Sequence, residues 1–444
     1  MAAAPSRQLS WTALLSVGAA IFGMHFGASC MLWPATWGRD SGVDWLWAFA
    51  GYSLTGLFLP VVGYLAVTRG GPLFAMAGRV GPRFAFLFGG LLVFILGPLF
   101  AIPRMSAAAW DAVSHVMGLH PQDSPAVFAW SFTLAYYLAI YWFIYRKAAI
   151  VDKLSHYLVP GLILVEAALI VSCMLFPAGE PVARNYERSP FGFGFVSGYQ
   201  TLDLPAALIF SGLILADIRA RGAVTVQATM RALFVSMCIG FSFFGLVMFG
   251  EFFRGHTASA VFTETSYARL SADIVLRQWG VAGGSIFNIA LLLACITAAV
   301  GLTAGNADFM QKASKGAIPY RAGCVIGLSI SAAISLLGLD AIVAWSVPIL
   351  AFIYPPCIAM ALCTVCFPRR LNLLRGACYA SLAFSFAEAA HGYLSLMGHK
   401  EILEPVLSMV PGFADGLGFL LFGILGAVLG NVFLKNTEAE VLQL

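Results

Sequence analysis

Two stretches of an otherwise apolar chain gather groups that can hold a charge. The first is His25-Phe26-Gly27-Ala28-Ser29-Cys30, followed by Trp33-Pro34. The second runs Gly192-Phe193-Gly194-Phe195-Val196-Ser197-Gly198-Tyr199-Gln200-Thr201, ahead of Asp203 and Pro205. Glycine, serine and threonine at such points let a helix unwind and bare its backbone amides and carbonyls. The amino end of a half-helix carries partial positive charge and suits a carboxylate, so Gly27, Ala28, Ser29, Gly198 and Thr201 are candidate ligands. Freed carbonyls suit a sodium ion or an ammonium group. Glycines also serve close helix packing, and one stretch alone favours that reading. A pair of interruptions five apolar spans apart favours unwinding, because that is the spacing of two inverted five-helix repeats. In a third stretch, Cys295 to Asn306, Thr297 and Thr303 could offer hydroxyl oxygens to an ion, with Ala298 between them; bonding to their own helix is commoner for threonines.

Ionisable groups inside a membrane are costly, about 2.5–3.5 kcal/mol on insertion scales, so each requires a reason. His25 precedes the first interruption, and imidazole is the side chain suited to exchanging a proton near neutral pH; a satisfied interior histidine is the plainer reading. Asp203 either fixes the second interruption by hydrogen bonds or faces a cation. Arg104 follows a proline late in the third apolar stretch and is expected to pair with Asp111 or snorkel to the outer interface. Glu166, midway along the fifth stretch, could line an ion path. Glu388 and His391 lie one turn apart in the eleventh and read as structural or interfacial. Phe195 and Tyr199 flank the second interruption and are the aromatic candidates for an apolar pocket. Trp45, Trp47, Trp130 and Trp142 read as an interfacial belt.

The elements that must position these groups follow from composition. Of 444 residues, 60% are hydrophobic and 10% charged, and the mean hydropathy is +0.87. A soluble domain carries roughly 25% charge, so lipid must cover this surface. Twelve apolar stretches approach the ~20 residues of a membrane span. They lie near 11–34, 44–67, 84–110, 126–145, 157–176, 193–216, 229–250, 280–305, 323–338, 341–366, 376–396 and 412–434, with a tight turn at Leu339–Asp340. The expected architecture is one all-α membrane domain over residues 1–444. Repeat one covers about 11–176, repeat two about 193–366, and two further helices lie within 376–434.

Seventeen of the 25 Lys and Arg fall on the side of the termini, among them Arg69, Arg79, Arg146, Lys147, Lys153, Lys312 and Arg375. Seven fall on the other side and Arg104 lies within a span. That asymmetry places both termini in the cytoplasm and the chain in the plasma (inner) membrane. The apolar run after Arg7 is too long for a signal peptide and reads as a retained first span. Phe252 to Trp279 is the one sizeable external segment, with a short helix around Tyr267–Arg277 that could act as a lid. The net charge of +4 is too dispersed for nucleic acid, and Cys357, Cys363 and Cys366 lack a histidine to complete a metal set. No nucleotide motif, HExxH pair or GxSxG elbow occurs, so an enzyme and a channel are the remote alternatives to a secondary carrier. No cofactor and no obligatory protein partner is expected.

The chain resembles the branched-chain amino acid:cation symporters, carriers of the BrnQ type. The likeness rests on Phe26-Gly27-Ala28 with Pro34, Gly97-Pro98 with Ala101-Ile102-Pro103-Arg104, Gly198-Tyr199 with Thr201 and Asp203, and Ala294-Cys295 with Gly301-Leu302-Thr303. The resemblance implies a LeuT-type fold with helices one and six broken, and symport of leucine, isoleucine and valine with Na+ or H+. Family members usually carry Gly-Asn at Ser29-Cys30, a threonine at Ala298 and often a serine at Ala304. A thiol and a methyl are poor ligands for a hard cation. A carrier of the same fold for another small solute, with altered or no sodium coupling, is therefore the alternative.

Overall fold

A computed structural model describes residues 8–119, 125–145, 149–185, 187–223, 225–263 and 267–433. Arg7, Arg146 and Lys147 lie outside them. The described chain is built from helices. Apolar segments that cannot hydrate their backbone must pair it internally, and a helix does so within one segment. Among the described residues six helices are long and apolar enough to cross a membrane, and a bent pair makes a seventh. The expected stretches near 11–34, 157–176, 323–338 and 412–434 overlap the shorter apolar helices Trp11–His25, Ile163–Leu175, Tyr320–Ser335 and Gly418–Phe433.

In chain order the helices are α1 (Trp11–His25), α2 (Ala28–Ser41), α3 (45–70, with a wide turn over Ser53–Phe58), α4 (Leu73–Val80), α5 (82–99), α6 (Ala101–Val116), α7 (Ala126–Tyr145) and α8 (Ala149–Leu175). There follow α9 (Pro190–Ser197), α10 (Asp203–Ala220), α11 (Val226–Thr257), α12 (267–279), α13 (281–313), α14 (Tyr320–Ser335), α15 (Leu339–Cys366), α16 (Leu371–Leu396) and α17 (Gly418–Phe433).

Both expected interruptions are present. Phe26 (φ −80°, ψ 98°) and Gly27 (φ −124°, ψ −177°) are extended and separate α1 from α2. Ser197 ends α9, a 3-10 turn spans Gly198–Thr201, and α10 departs at 42°. Leu202 between them is left-handed (φ 60°, ψ 20°), which costs a leucine about 1–2 kcal/mol that surrounding packing must offset. A third break was not expected: Gly97 (φ −109°, ψ −121°) and Phe100 (φ −143°, ψ −61°) divide the third stretch into α5 and α6. Pro98 supplies no amide there, and its carbonyl accepts from Ser331 Oγ at 3.2 Å. The lid-like helix expected around Tyr267–Arg277 is α12, turned away from α13 at Gly280 (φ 69°).

Hydrogen bonds fix the loops at the two ends. At the α2 end, the Val43 amide donates to the Val182 carbonyl (3.2 Å), the Val182 amide to Ser259 Oγ (3.1 Å), and the Ser189 amide to Asp415 Oδ1 (2.9 Å). At the end where α1 begins, Arg69 and Arg79 donate to the Val365 and Pro368 carbonyls, and Arg375 Nε donates to the Arg79 carbonyl at 3.1 Å. Arg69 and Arg375 thereby satisfy carbonyls in the last turns of α15 and α4, which have no intrahelical partners, and Arg79 ties the loop after α15 to α4.

Two expectations need correction. The tight turn lies at 336–338, where Gly338 takes φ 84°, and α15 already starts at Leu339. Trp45 does not belong to a lipid-facing belt: it is 8% exposed and stacks on His256 at 5.1 Å, whereas Trp47 and Trp130 are 66% and 63% exposed.

Helix α2 is pressed onto α11 by glycines. A Cβ on Gly255 would sit 1.7 Å from the Ala35 carbonyl oxygen, and one on Gly38 would sit 2.0 Å from that of Phe252. Gly255→Val is therefore expected to destabilise the protein by about 1–3 kcal/mol or more, as overpacking does. Gly301→Val should be near neutral, because nothing lies within 4 Å of a Cβ there. Thermal melting in detergent checks the contrast, and equal melting temperatures would refute the packing assignment.

Candidate functional site

The two principal breaks meet through one hydrogen bond. His25 ends α1, Asp203 begins α10, and His25 Nδ1 lies 2.7 Å from Asp203 Oδ1. The imidazole Nε2 is 3.3 Å from the Tyr64 hydroxyl of α3. Tyr64, Phe241 and Phe244 surround the imidazole, with ring centroids 5.9, 5.0 and 6.1 Å away. The carboxylate sits in the first turn of α10, where the helix dipole favours it. Position 203 thus both anchors the break and faces a titratable partner.

Around this bond the released backbone is only partly used. The Phe26 amide returns to the Phe22 carbonyl at 2.7 Å, and the Cys30 amide closes the first α2 turn on the Gly27 carbonyl at 2.9 Å. Cys30 Sγ donates to the His25 carbonyl at 3.3 Å. The amides of Ala28 and Ser29 open α2 and have no carbonyl four residues back in that helix. No side chain caps them either. Space is available there: a Cβ on Gly27 would meet nothing within 4 Å. Gly27 is extended, a conformation open to any residue, so what glycine provides at this position is room. At the second break, Thr201 Oγ1 donates to the Gly198 carbonyl (2.8 Å) and the Leu202 amide to the Tyr199 carbonyl (3.2 Å).

The other expected residues divide. Phe195 and Tyr199 are buried, 5.6 Å apart, and Tyr199 stacks on Tyr354 of α15 at 4.2 Å. Gly198 does not face an open pocket: a Cβ there would lie 2.0 Å from Thr55 Oγ1. Thr55 in turn donates to the Phe195 carbonyl at 3.0 Å, so α3 holds this break from behind. Thr297 donates to the Leu293 and Ala294 carbonyls at 3.0 Å, and Thr303 to Ala299 at 2.7 Å, which is the backbone-bonding alternative. Ala298 is partly buried on the same helix.

Arg104 departs from both of its expected roles. It neither pairs with Asp111 nor reaches the interface: at 3% exposure its guanidinium lies over Trp33 (4.6 Å) and Phe100 (4.7 Å). Trp33 packs on Tyr267 of α12 at 5.4 Å. Cation, indole and phenol rings form one stack between the breaks and the lid helix. At the opposite end a cavity of about 730 Å³ runs between α4, α5, α10 and α13, past Phe74, Phe86, Leu208, Gly301 and Phe309 to Asn306. Asn306 meets the third break, its Nδ2 3.0 Å from where a Gly97 Cβ would stand.

Tyr64, Tyr354 and Thr55 were not anticipated, because a lone hydroxyl on an apolar helix carries no spacing signal. Glu251 and Arg254 were assigned to a loop edge. Their i,i+3 placement on a continuing apolar helix could have revealed a buried pair.

Comparison with known proteins places this geometry in context. A family model described as "Branched-chain amino acid transport protein" matches residues 10–437. The branched-chain amino acid transport system 3 carrier protein of Pseudomonas aeruginosa is 30% identical, over 92% of this chain and 93% of its own length. Branched-chain amino acid permease BrnQ of Corynebacterium glutamicum is 29% identical over 82% and 83%, and BraB of Bacillus subtilis 25% over 94% of both. The fold is similar to that of Mhp1, a nucleobase-cation-symport-1 family transporter. Against its closed conformation with bromovinylhydantoin bound the TM-score is 0.59 at 11% identity, covering 94% of this chain and 91% of that one. Against its inward-facing conformation the TM-score is 0.60 at 11% identity, covering 95% and 90%.

Removing one member of a buried hydrogen-bonded pair strands the other. Asp203→Ala, which leaves His25 Nδ1 without its partner, is expected to cost about 1–3 kcal/mol of stability or more. Tyr64→Phe, which removes only the longer bond to Nε2, should cost about 0.5–1.5 kcal/mol. Melting temperatures of the two variants in detergent check the ranking, and the reverse order would contradict it.

Proposed function

The chain belongs to the branched-chain amino acid transport protein family, and from that premise we propose that it is a secondary carrier for leucine, isoleucine and valine, driven by a cation gradient. Its curated relatives are carriers and permeases, so it is a transporter and not an enzyme. Twelve membrane crossings, in two inverted five-helix repeats (about 11–176 and 193–366) with two helices appended, complete the proposal, with both termini in the cytoplasm.

The observation that carries it is the uncapped start of α2 beside open space. The substrate carboxylate binds the Ala28 and Ser29 amides, with Gly27 leaving room for it. Its aliphatic side chain packs toward Phe195 and Tyr199, where each methylene discriminates by about 1–3 kcal/mol. Gly198 and Thr201 shape the second break. His25 and Asp203 bridge the breaks and are the coupling candidates. Cys30 and Ala298 offer no hard ligand, so H+ is favoured over Na+ as coupling ion. Arg104 with Trp33 and Tyr267 is the outer gate. Carriage of another small solute by the same fold is the second reading, favoured by Ser29 and Cys30.

Gly27→Leu tests the pocket without crowding the packed face that Gly198 occupies. Purified in proteoliposomes, wild-type protein is expected to take up radiolabelled leucine, with isoleucine and valine competing, more strongly under an inward proton gradient. Gly27→Leu should insert and melt normally while losing at least about tenfold in uptake, a change of 1.4 kcal/mol. Undiminished leucine uptake by that variant would remove the α2 start from the site; absence of leucine uptake in the wild type would favour another solute.

A further inference from the structure

Away from His25 and Asp203 the chain buries a second charged cluster. Glu166 of α8 and Glu251 and Arg254 of α11 each have 0% exposure. Arg254 forms an ion pair with Glu251. It also donates to the Met31 carbonyl of α2 and to Ser271 Oγ of α12, each at 3.1 Å. Ser271 Oγ itself donates to the Met31 carbonyl at 3.0 Å. The cluster thereby joins the outer half of the first broken span to the lid helix. Ile170, one turn after Glu166, packs on Gly250 beside Glu251, with its Cδ1 2.5 Å from where a Gly250 Cβ would stand, so α8 brings Glu166 to the face of α11 that carries the pair. Neither oxygen of Glu166 has a hydrogen-bond partner among the described residues. The titratable groups facing the cluster are Glu166 and Cys173 from α8 and Glu251 and Arg254 from α11. From α2 and α12 it meets the Met31 carbonyl and Ser271.

Two carboxyls share one guanidinium here, and water reaches none of the three. With both carboxylates ionised the cluster would hold an uncompensated buried negative charge, which a folded interior does not tolerate. Two neighbouring carboxylates relieve this by retaining one proton between them. We propose that Glu166 and Glu251 bind one proton while the outer end is closed, and that its release to water accompanies separation of α2 and α12 from α11. The proton comes from a hydronium ion: one of its O–H bonds breaks, leaving water, as an O–H bond forms on a carboxyl oxygen, and that O–H donates a hydrogen bond to the second carboxylate. Release runs the same exchange in reverse, returning the proton to water. The site is separate from the substrate pocket; only its part in transport rests on the carrier reading, whereas the proton is detectable in resting protein without substrate.

Infrared difference spectra of purified wild type, Glu166→Gln and Glu251→Gln at neutral pH test it directly. Each amide variant leaves one carboxylate facing Arg254, so the wild type should show a protonated-carboxyl C=O band that both variants lack. An identical carboxyl band in all three proteins would overturn the proposal. A second measurement needs neither variant. Ala272→Cys, buried on α12, is labelled with a thiol reagent and normalised to the exposed Cys366 of the same molecule. The ratio should rise with pH as the cluster loses its proton and the lid loosens. A ratio that does not change with pH, or that follows sodium alone, would equally overturn it.

Discussion

A helix can stop inside an apolar bundle only where the peptide groups it releases find partners or are kept for a ligand. This chain stops two helices at facing positions and ties the ends with His25 and Asp203, 2.7 Å apart. One bond fixes the end of α1 relative to the start of α10. Around it the backbone is satisfied selectively: the Phe26 and Cys30 amides and the His25 carbonyl are engaged, while the first amides of α2 stay open beside the space at Gly27. Broken helices are thereby compatible with a stable interior.

The rest of the bundle holds those breaks in place. Thr55 braces the second break through the Phe195 carbonyl, and the close approach of α2 to α11 at Gly38 and Gly255 fixes the α2 half of the first. Beyond the breaks, Arg104, Trp33 and Tyr267 fill the path to the lid with one cation among aromatic faces, an arrangement that needs no exposed ion pair. The buried cluster at Arg254 then binds the same half-helix to the lid by hydrogen bonds. Two kinds of contact, stacking and charge, close the same end.

The breaks were legible because glycine, serine and threonine interrupt apolar runs there and because the two runs sit five spans apart. The third break was less so: Gly97-Pro98 was visible as a motif, but only tertiary packing, with Asn306 and Ser331 against it, shows that α5 truly bends. Direction within a helix was the hardest thing to read. Gly198 looked like a pocket residue, yet its bare face meets Thr55, and the Thr297 and Thr303 hydroxyls turned back to their own helix. Arg104 was placed by a rule for charges near helix ends, whereas its surroundings are rings from α2 and its own segment. Glu251 and Arg254 were missed because the apolar run fades before the helix does.

The proposed function depends on the start of α2 receiving the cargo's carboxylate. An electron cryomicroscopy structure with leucine bound would test that most directly. The account predicts leucine density whose carboxylate lies within hydrogen-bond distance of the Ala28 and Ser29 amides, with α1 and α2 still separated at Phe26-Gly27. Leucine found elsewhere, or a helix running unbroken through His25 to Cys30, would contradict it.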